Sequence, residues 1–189
     1  MTTMTTPVVS ADSHIVEPPN CYIDYIDPKY RDIAPRIGPL PDGGDGFFVE
    51  GIRKPVPLGL MSAAGVDSKI MPGVAPKFTV DDLHRGGWDP NARMADLKRD
   101  GVDAEIIYAS VGMVLCNHKN PDYKNACFRA YNRWLAEFCA EQPKALFGLG
   151  QTAVRSVDEA IDDFRRIKAA GFVGVMMPGC PIQEDYAHP

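Results

Sequence analysis

Hydrophobic and polar positions follow two regimes along the chain. From Asp89 onward, short continuous apolar runs alternate with segments whose apolar residues recur every three or four positions. Ala104-Glu105-Ile106-Ile107-Tyr108, Ala145-Leu146-Phe147-Gly148-Leu149-Gly150 and Phe172-Val173-Gly174-Val175-Met176-Met177 are of strand length. The first reads as a short strand, and the other two, apolar throughout, predict strands of a parallel sheet covered on each side. Between them lie three helical patterns. Asp89-Pro90 is a start signal, Met94 and Leu97 share a face, and Gly101 is a stop. Asn120-Pro121 opens a longer helix with Cys127, Tyr131, Trp134, Leu135 and Phe138 on one stripe, halted by Gln142-Pro143. Ser156-Val157-Asp158-Glu159 reads as a capping box, followed by a stripe of Ile161, Phe164 and Ile167 and a stop at Gly171.

The N-terminal part is different. An apolar pair, Val8-Val9, leads into Ser10-Ala11-Asp12-Ser13-His14 and predicts a first strand. Residues 18–89 then lack periodicity and are rich in Pro and Gly, so they predict an irregular insertion. Its aromatics (Tyr22, Tyr25, Tyr30, Phe47, Phe48, Phe78, Trp88) argue that it is ordered and packed on the body. Phe47-Phe48-Val49 and Ile52, on either side of Gly51, suggest a small hairpin. The order strand, insertion, helix, strand, helix, strand, helix, strand predicts an α/β domain, a parallel sheet and right-handed crossovers.

Composition narrows the function without naming it. The 189 residues are 45% hydrophobic and 24% charged with a formal net charge of −5, enough for one domain with a core. The basic residues Arg165, Arg166 and Lys168 read as a solvated helix face, and no nucleic-acid partner is expected. Five cysteines without a C-x-x-C pair suggest neither disulfides nor a zinc knuckle, so packed thiols in a cytoplasmic protein are expected. The N-terminus lacks a signal-peptide pattern, and no apolar run approaches the ~20 residues of a membrane span.

The candidate chemistry begins at Asp12-Ser13-His14. Residues two apart on a strand point the same way, so Asp12 and His14 would converge at the strand's end as oxygen and nitrogen donors for a divalent metal. An Asp-Ser turn with a hydrogen-bonded histidine is the alternative.

Several motifs carry a family resemblance. Ala11-Asp12-Ser13-His14-Ile15-Val16-Glu17-Pro18, Arg85-Gly86-Gly87-Trp88-Asp89-Pro90-x-x-Arg93-Met94-x-Asp96-Leu97 and Asp100-Gly101-Val102-Asp103-Ala104-Glu105 occur in order. Ala130-Tyr131-Asn132-x-Trp134-Leu135-Ala136-Glu137-Phe138-Cys139 and Gly171-Phe172-x-Gly174-Val175 follow. Together they resemble amidohydrolase-related proteins (amidohydrolase family 2), in the branch of aminocarboxymuconate-semialdehyde decarboxylase.

That resemblance implies a metal-dependent (β/α)8 TIM barrel with its site at the carboxyl ends of the strands. About the first four strands would be present, with the long insertion after strand 1. It places Asp12 and His14 at two metal-ligand positions, with zinc the first candidate and manganese the second. It implies a small carboxylated or cyclic substrate, either hydrolysed or decarboxylated, and a homo-oligomer at full length. The family's other ligands, a His beyond the fifth strand and an Asp after the eighth, would lie past this chain's end. An inactive fragment or an interaction protein that needs a partner is therefore the alternative reading. Glu17 and His118 are the candidate substrate contacts, against a loop carboxylate and a solvated polar residue near the Asn120 cap. Tyr108, Ser110 and Gln151 follow strands on the same face, where packing or capping would also explain them. His84 lies in the insertion and His188 in the tail, and neither is expected to be a ligand.

Overall fold

A computed structural model describes residues 6–177. Cys180 and His188 lie outside the described residues.

The chain opens with β1 (Val9–His14) and then leaves the main sheet. The segment that follows holds β2 (Arg36–Pro39), β3 (Asp45–Phe48) and β4 (Val56–Pro57), paired antiparallel in that order. Short 3-10 turns and the one-turn helix α1 (Met71–Val74) complete it. The hairpin expected around Gly51 is therefore real, but its second strand begins at Val56 rather than Ile52. β2 escapes sequence reading because Arg36-Ile37-Gly38-Pro39 offers a single large apolar side chain and hence no alternation. The expectation of order holds: Tyr22 and Phe47 are both fully buried and meet edge to face, with ring centroids 6.3 Å apart.

The regular half then runs α2 (Pro90–Asp100), β5 (Ala104–Tyr108), α3 (Val111–Leu115), α4 (Pro121–Ala140), β6 (Leu146–Gln151), α5 (Val157–Ala169) and β7 (Gly174–Met176). The main sheet is four-stranded and parallel, in the order β1-β5-β6-β7. Among the described residues β1 and β7 are its open edges. The fold is thus α/β with a parallel sheet, as the alternating pattern predicts.

Local signals act as read. Asp89 accepts from the amides of Asn91 and Ala92 at 2.9 Å each, and Asn120 accepts from those of Asp122 and Tyr123. Gly101 closes α2 in the left-handed region at φ 71°, which a side chain would disfavour. At α5 only half of the expected capping box forms. Ser156 accepts from the Glu159 amide, while the Glu159 carboxylate turns to Arg155, Arg129 and Asn125.

The buried face of α5 also differs from expectation. Ala160, Asp163 and Ile167 point inward, whereas Ile161 and Phe164 are 41% and 39% exposed. The physical reason is an ionic seam. Asp163 accepts from Thr152 Oγ1 at 2.8 Å and Arg129 Nη2 at 3.0 Å, turning that edge of the helix toward α4 and β6. Between the sheet and α4, Ile107, Leu115, Tyr131, Leu135 and Leu146 are at most 2% exposed and form the core of this half.

Candidate functional site

β1 does not reach its end as a plain strand. Ser10 pairs with Glu105 and Ser13 with Ile107, so three steps of β1 span two of β5. Asp12 sits inside this bulge, a device that re-aims side chains near the end of a strand. Ser10 and Ser13, three apart, meet across it with their hydroxyls at 2.7 Å.

Asp12 and His14 lie together at the end of the strand. Asp12 Oδ1 lies 3.5 Å from His14 Nε2, with side chains 80% and 36% exposed. His14 Nδ1 lies 3.0 Å from the Ala109 carbonyl oxygen. A carbonyl only accepts, so Nδ1 carries the proton and a neutral His14 keeps its Nε2 lone pair on the Asp12 side. One carboxylate oxygen and one uncommitted imidazole nitrogen, both reachable from outside, fit two positions of a divalent-metal site. Among the described residues no third His, Cys, Asp or Glu joins them as a metal-binding group.

Behind this pair, the extension of β1 is stitched to the turn after β5. Ile15 N donates to the Tyr108 carbonyl at 3.0 Å, and Ser110 Oγ donates to the Ile15 carbonyl at 2.7 Å. Glu17 is fully buried. Its Oε1 accepts from the amides of Ser110, Val111 and Gly112 at 3.0, 2.9 and 3.4 Å, while Oε2 has no hydrogen-bond partner. Burial raises the Glu17 pKa from its ordinary 4.5 to about 7, with the amide bonds opposing part of the rise. Burial first, and the Glu17 charge second, push the phenols of Tyr22 and Tyr131 well above their usual range.

His118 is buried, not solvated, and works as a clasp. Its Nδ1 accepts from the Asn120 amide at 3.1 Å, so Nε2–H donates to the Glu50 carbonyl at 2.7 Å. Its ring lies 4.8 Å from that of Tyr123. A Cβ on Gly51, whose φ is +74°, would lie 2.9 Å from His118 Nε2, so this position needs glycine twice over. Tyr108 flanks His14 with ring centroids 5.7 Å apart. Gln151 is buried at the end of β6, its backbone bracketed by the Asn132 side chain.

Two features went unread in the sequence. His84 Nε2 and Asp96 Oδ2 are 2.6 Å apart, and the two residues share with His14, Ser62, Arg93 and Glu105 a cavity of about 270 Å³. The His84 hydrogen bond holds the Asp96 carboxyl below its ordinary pKa. Arg93 forms a buried ion pair with Glu105 and also donates to the carbonyls of Gly86 and His14, both at 3.1 Å. A charged residue inside the strand Ala104-Glu105-Ile106-Ile107 was the available signal, since a buried carboxylate demands a partner.

No protein-family model matches the chain. A 2-amino-3-carboxymuconate-6-semialdehyde decarboxylase of Dictyostelium discoideum is 28% identical over 91 residues, 48% of this chain and 25% of that protein. The resemblance is to the amidohydrolase-related decarboxylases. An amidohydrolase of Mycobacterium avium subsp. paratuberculosis superposes with a TM-score of 0.61 at 18% identity, over 90% of this chain and 48% of its own. A dihydroxybenzoic acid decarboxylase from a Polaromonas species, with bound manganese and the inhibitor 2-nitroresorcinol, superposes at 0.53 and 17% identity. That match covers 97% of this chain and 44% of the other. The amidohydrolase-related fold is therefore shared along nearly the whole chain, which spans a quarter of the curated relative and about half of the solved structures.

Proposed function

We propose that the chain forms the first part of a (β/α)8-barrel decarboxylase, a metal-dependent carbon–carbon lyase acting on carboxylated aromatic or related cyclic acids. The observation that carries the reading is the Asp12–His14 pair, 3.5 Å apart at the end of β1 with the Nε2 lone pair uncommitted. A divalent ion bound there would supply Lewis-acid chemistry at substrate oxygens. Asp12 and His14 would hold one side of it, and the remaining donors would come from beyond the described residues. The manganese in the Polaromonas neighbour supports manganese ahead of the zinc expected from sequence. The decarboxylases among the comparisons support carbon dioxide release over hydrolysis.

The open edges of β1 and β7 and the exposed Ile161 and Phe164 support further polypeptide packing here, which would complete the barrel. The burial of Glu17 and the double commitment of His118 support positioning roles for both, behind the substrate rather than against it.

The protein at its natural length, assayed with Mn²⁺ and hydroxylated benzoic acids, should release carbon dioxide. Asp12→Ala and His14→Ala should each lower that rate at least about a hundredfold, since metal polarisation contributes several kcal/mol. Undiminished turnover in both variants would overturn the assignment, and cleavage of amides or esters instead would move it to hydrolysis.

A further inference from the structure

We infer that Glu17 positions His14 through a single peptide unit. The Ala109 carbonyl and the Ser110 amide belong to one planar group, so fixing one end fixes the other. Glu17 Oε1 accepts from the Ser110 N–H at 3.0 Å, and the opposite end of that plane, Ala109 O, lies 3.0 Å from His14 Nδ1. The same oxygen holds the Val111 amide at 2.9 Å and the Gly112 amide at 3.4 Å, which leaves the turn no room to rotate that plane alone. Ser110 Oγ on the Ile15 carbonyl pins the plane from the side.

The consequence is chemical as well as geometric. With Ala109 O aimed at the ring, the His14 proton stays on Nδ1, and Nε2 keeps a lone pair facing Asp12. A rotated peptide would present an N–H to the same nitrogen and reverse the tautomer. The carboxylate also polarises the peptide it grips, which strengthens the bond at the far end. On this reading the buried Glu17 acts on His14 through residues 109–110. This assigns a job to a buried carboxyl that a short helix cap alone would not require.

The inference rests on His14 as a metal ligand, but its primary readout does not. In the metal-free chain at about pH 8, where imidazole is neutral, nitrogen-15 NMR should show His14 as a single Nδ1–H tautomer. Glu17→Ala should turn it into a mixture, with an unchanged far-ultraviolet circular dichroism spectrum, and should weaken Mn²⁺ binding about 10- to 100-fold. Glu17→Gln keeps an acceptor oxygen and should restore both. Should Glu17→Ala fail to fold, Glu17→Asp, one methylene short, is read in the same way. A folded variant that retains the single tautomer overturns the inference even where Mn²⁺ binds at Asp12 and His14. A tautomer that shifts in a chain binding no Mn²⁺ upholds the positioning role and removes the metal reading instead.

Discussion

Replacing Arg93 with alanine should lower the unfolding free energy by about 3–5 kcal/mol, the cost of stranding a buried charge. Arg93 and Glu105 side chains are 11% and 2% exposed, so water cannot stand in for the lost partner. Both guanidinium edges are engaged: Nη2 donates to Glu105 Oε2 at 3.0 Å, and Nε reaches Oε1 of the same carboxylate. The Gly86 and His14 carbonyls would lose donors as well. The pair therefore bolts α2 to β5 and to the end of β1 at once. Removing both charges, as Arg93→Met with Glu105→Leu, should recover most of the loss, because the penalty comes from the unpaired carboxylate. Urea denaturation of the single and double variants measures this as a double-mutant cycle. A single-variant loss below about 1 kcal/mol, the range of exposed pairs, would show that the pair is not buried in solution.

Stability should also fall as the pH rises from about 5 to 7.5, and Glu17 should be the main reason. Its pKa is raised on folding, from 4.5 to about 7, so within that window the folded chain holds a proton that the unfolded chain has released. Stability then decreases with pH, and the change amounts to about 3 kcal/mol once both pKa values are passed. This is opposite in sign to a carboxylate held in an ion pair. The neutral form suits the surroundings: one oxygen accepts three amides, while the other lies buried without a partner. Glu17→Gln imitates that form and should flatten the pH dependence between those limits. A wild-type midpoint that rises over the same range, or an unchanged slope in Glu17→Gln, would contradict the buried placement.

Much of the fold was legible because its signals are local. Asp89-Pro90, Asn120-Pro121 and Gly101 set helix ends through their own backbone chemistry. The short runs at 104–108 and 146–150, set between helical patterns, marked two strands of the sheet. α3 was not legible: Val111-Gly112-Met113-Val114-Leu115 has weak intrinsic preference, and its first amides are held by Glu17, far away in sequence. The inward face of α5 was misread for a related reason. Asp163 goes inside to meet Arg129 and Thr152, a choice that no periodicity of apolar residues encodes.

At the site, the spacing of Asp12 and His14 was readable, while the bulge around Asp12 was not. A bulge depends on the register between β1 and β5, a non-local quantity. The roles of Glu17 and His118 were hidden by the same limit, since each bonds to backbone of a distant segment. His84 and Asp96, twelve positions apart, meet across a turn and a helix.

The central claim is that Asp12 and His14 together hold a divalent metal. Its most direct test is a Mn²⁺ titration of the protein at its natural length, followed by nuclear relaxation at assigned ring and backbone signals. The account predicts paramagnetic broadening centred on His14 and Asp12, abolished in both Asp12→Ala and His14→Ala. Broadening centred elsewhere, or equal binding by the two variants, would contradict it.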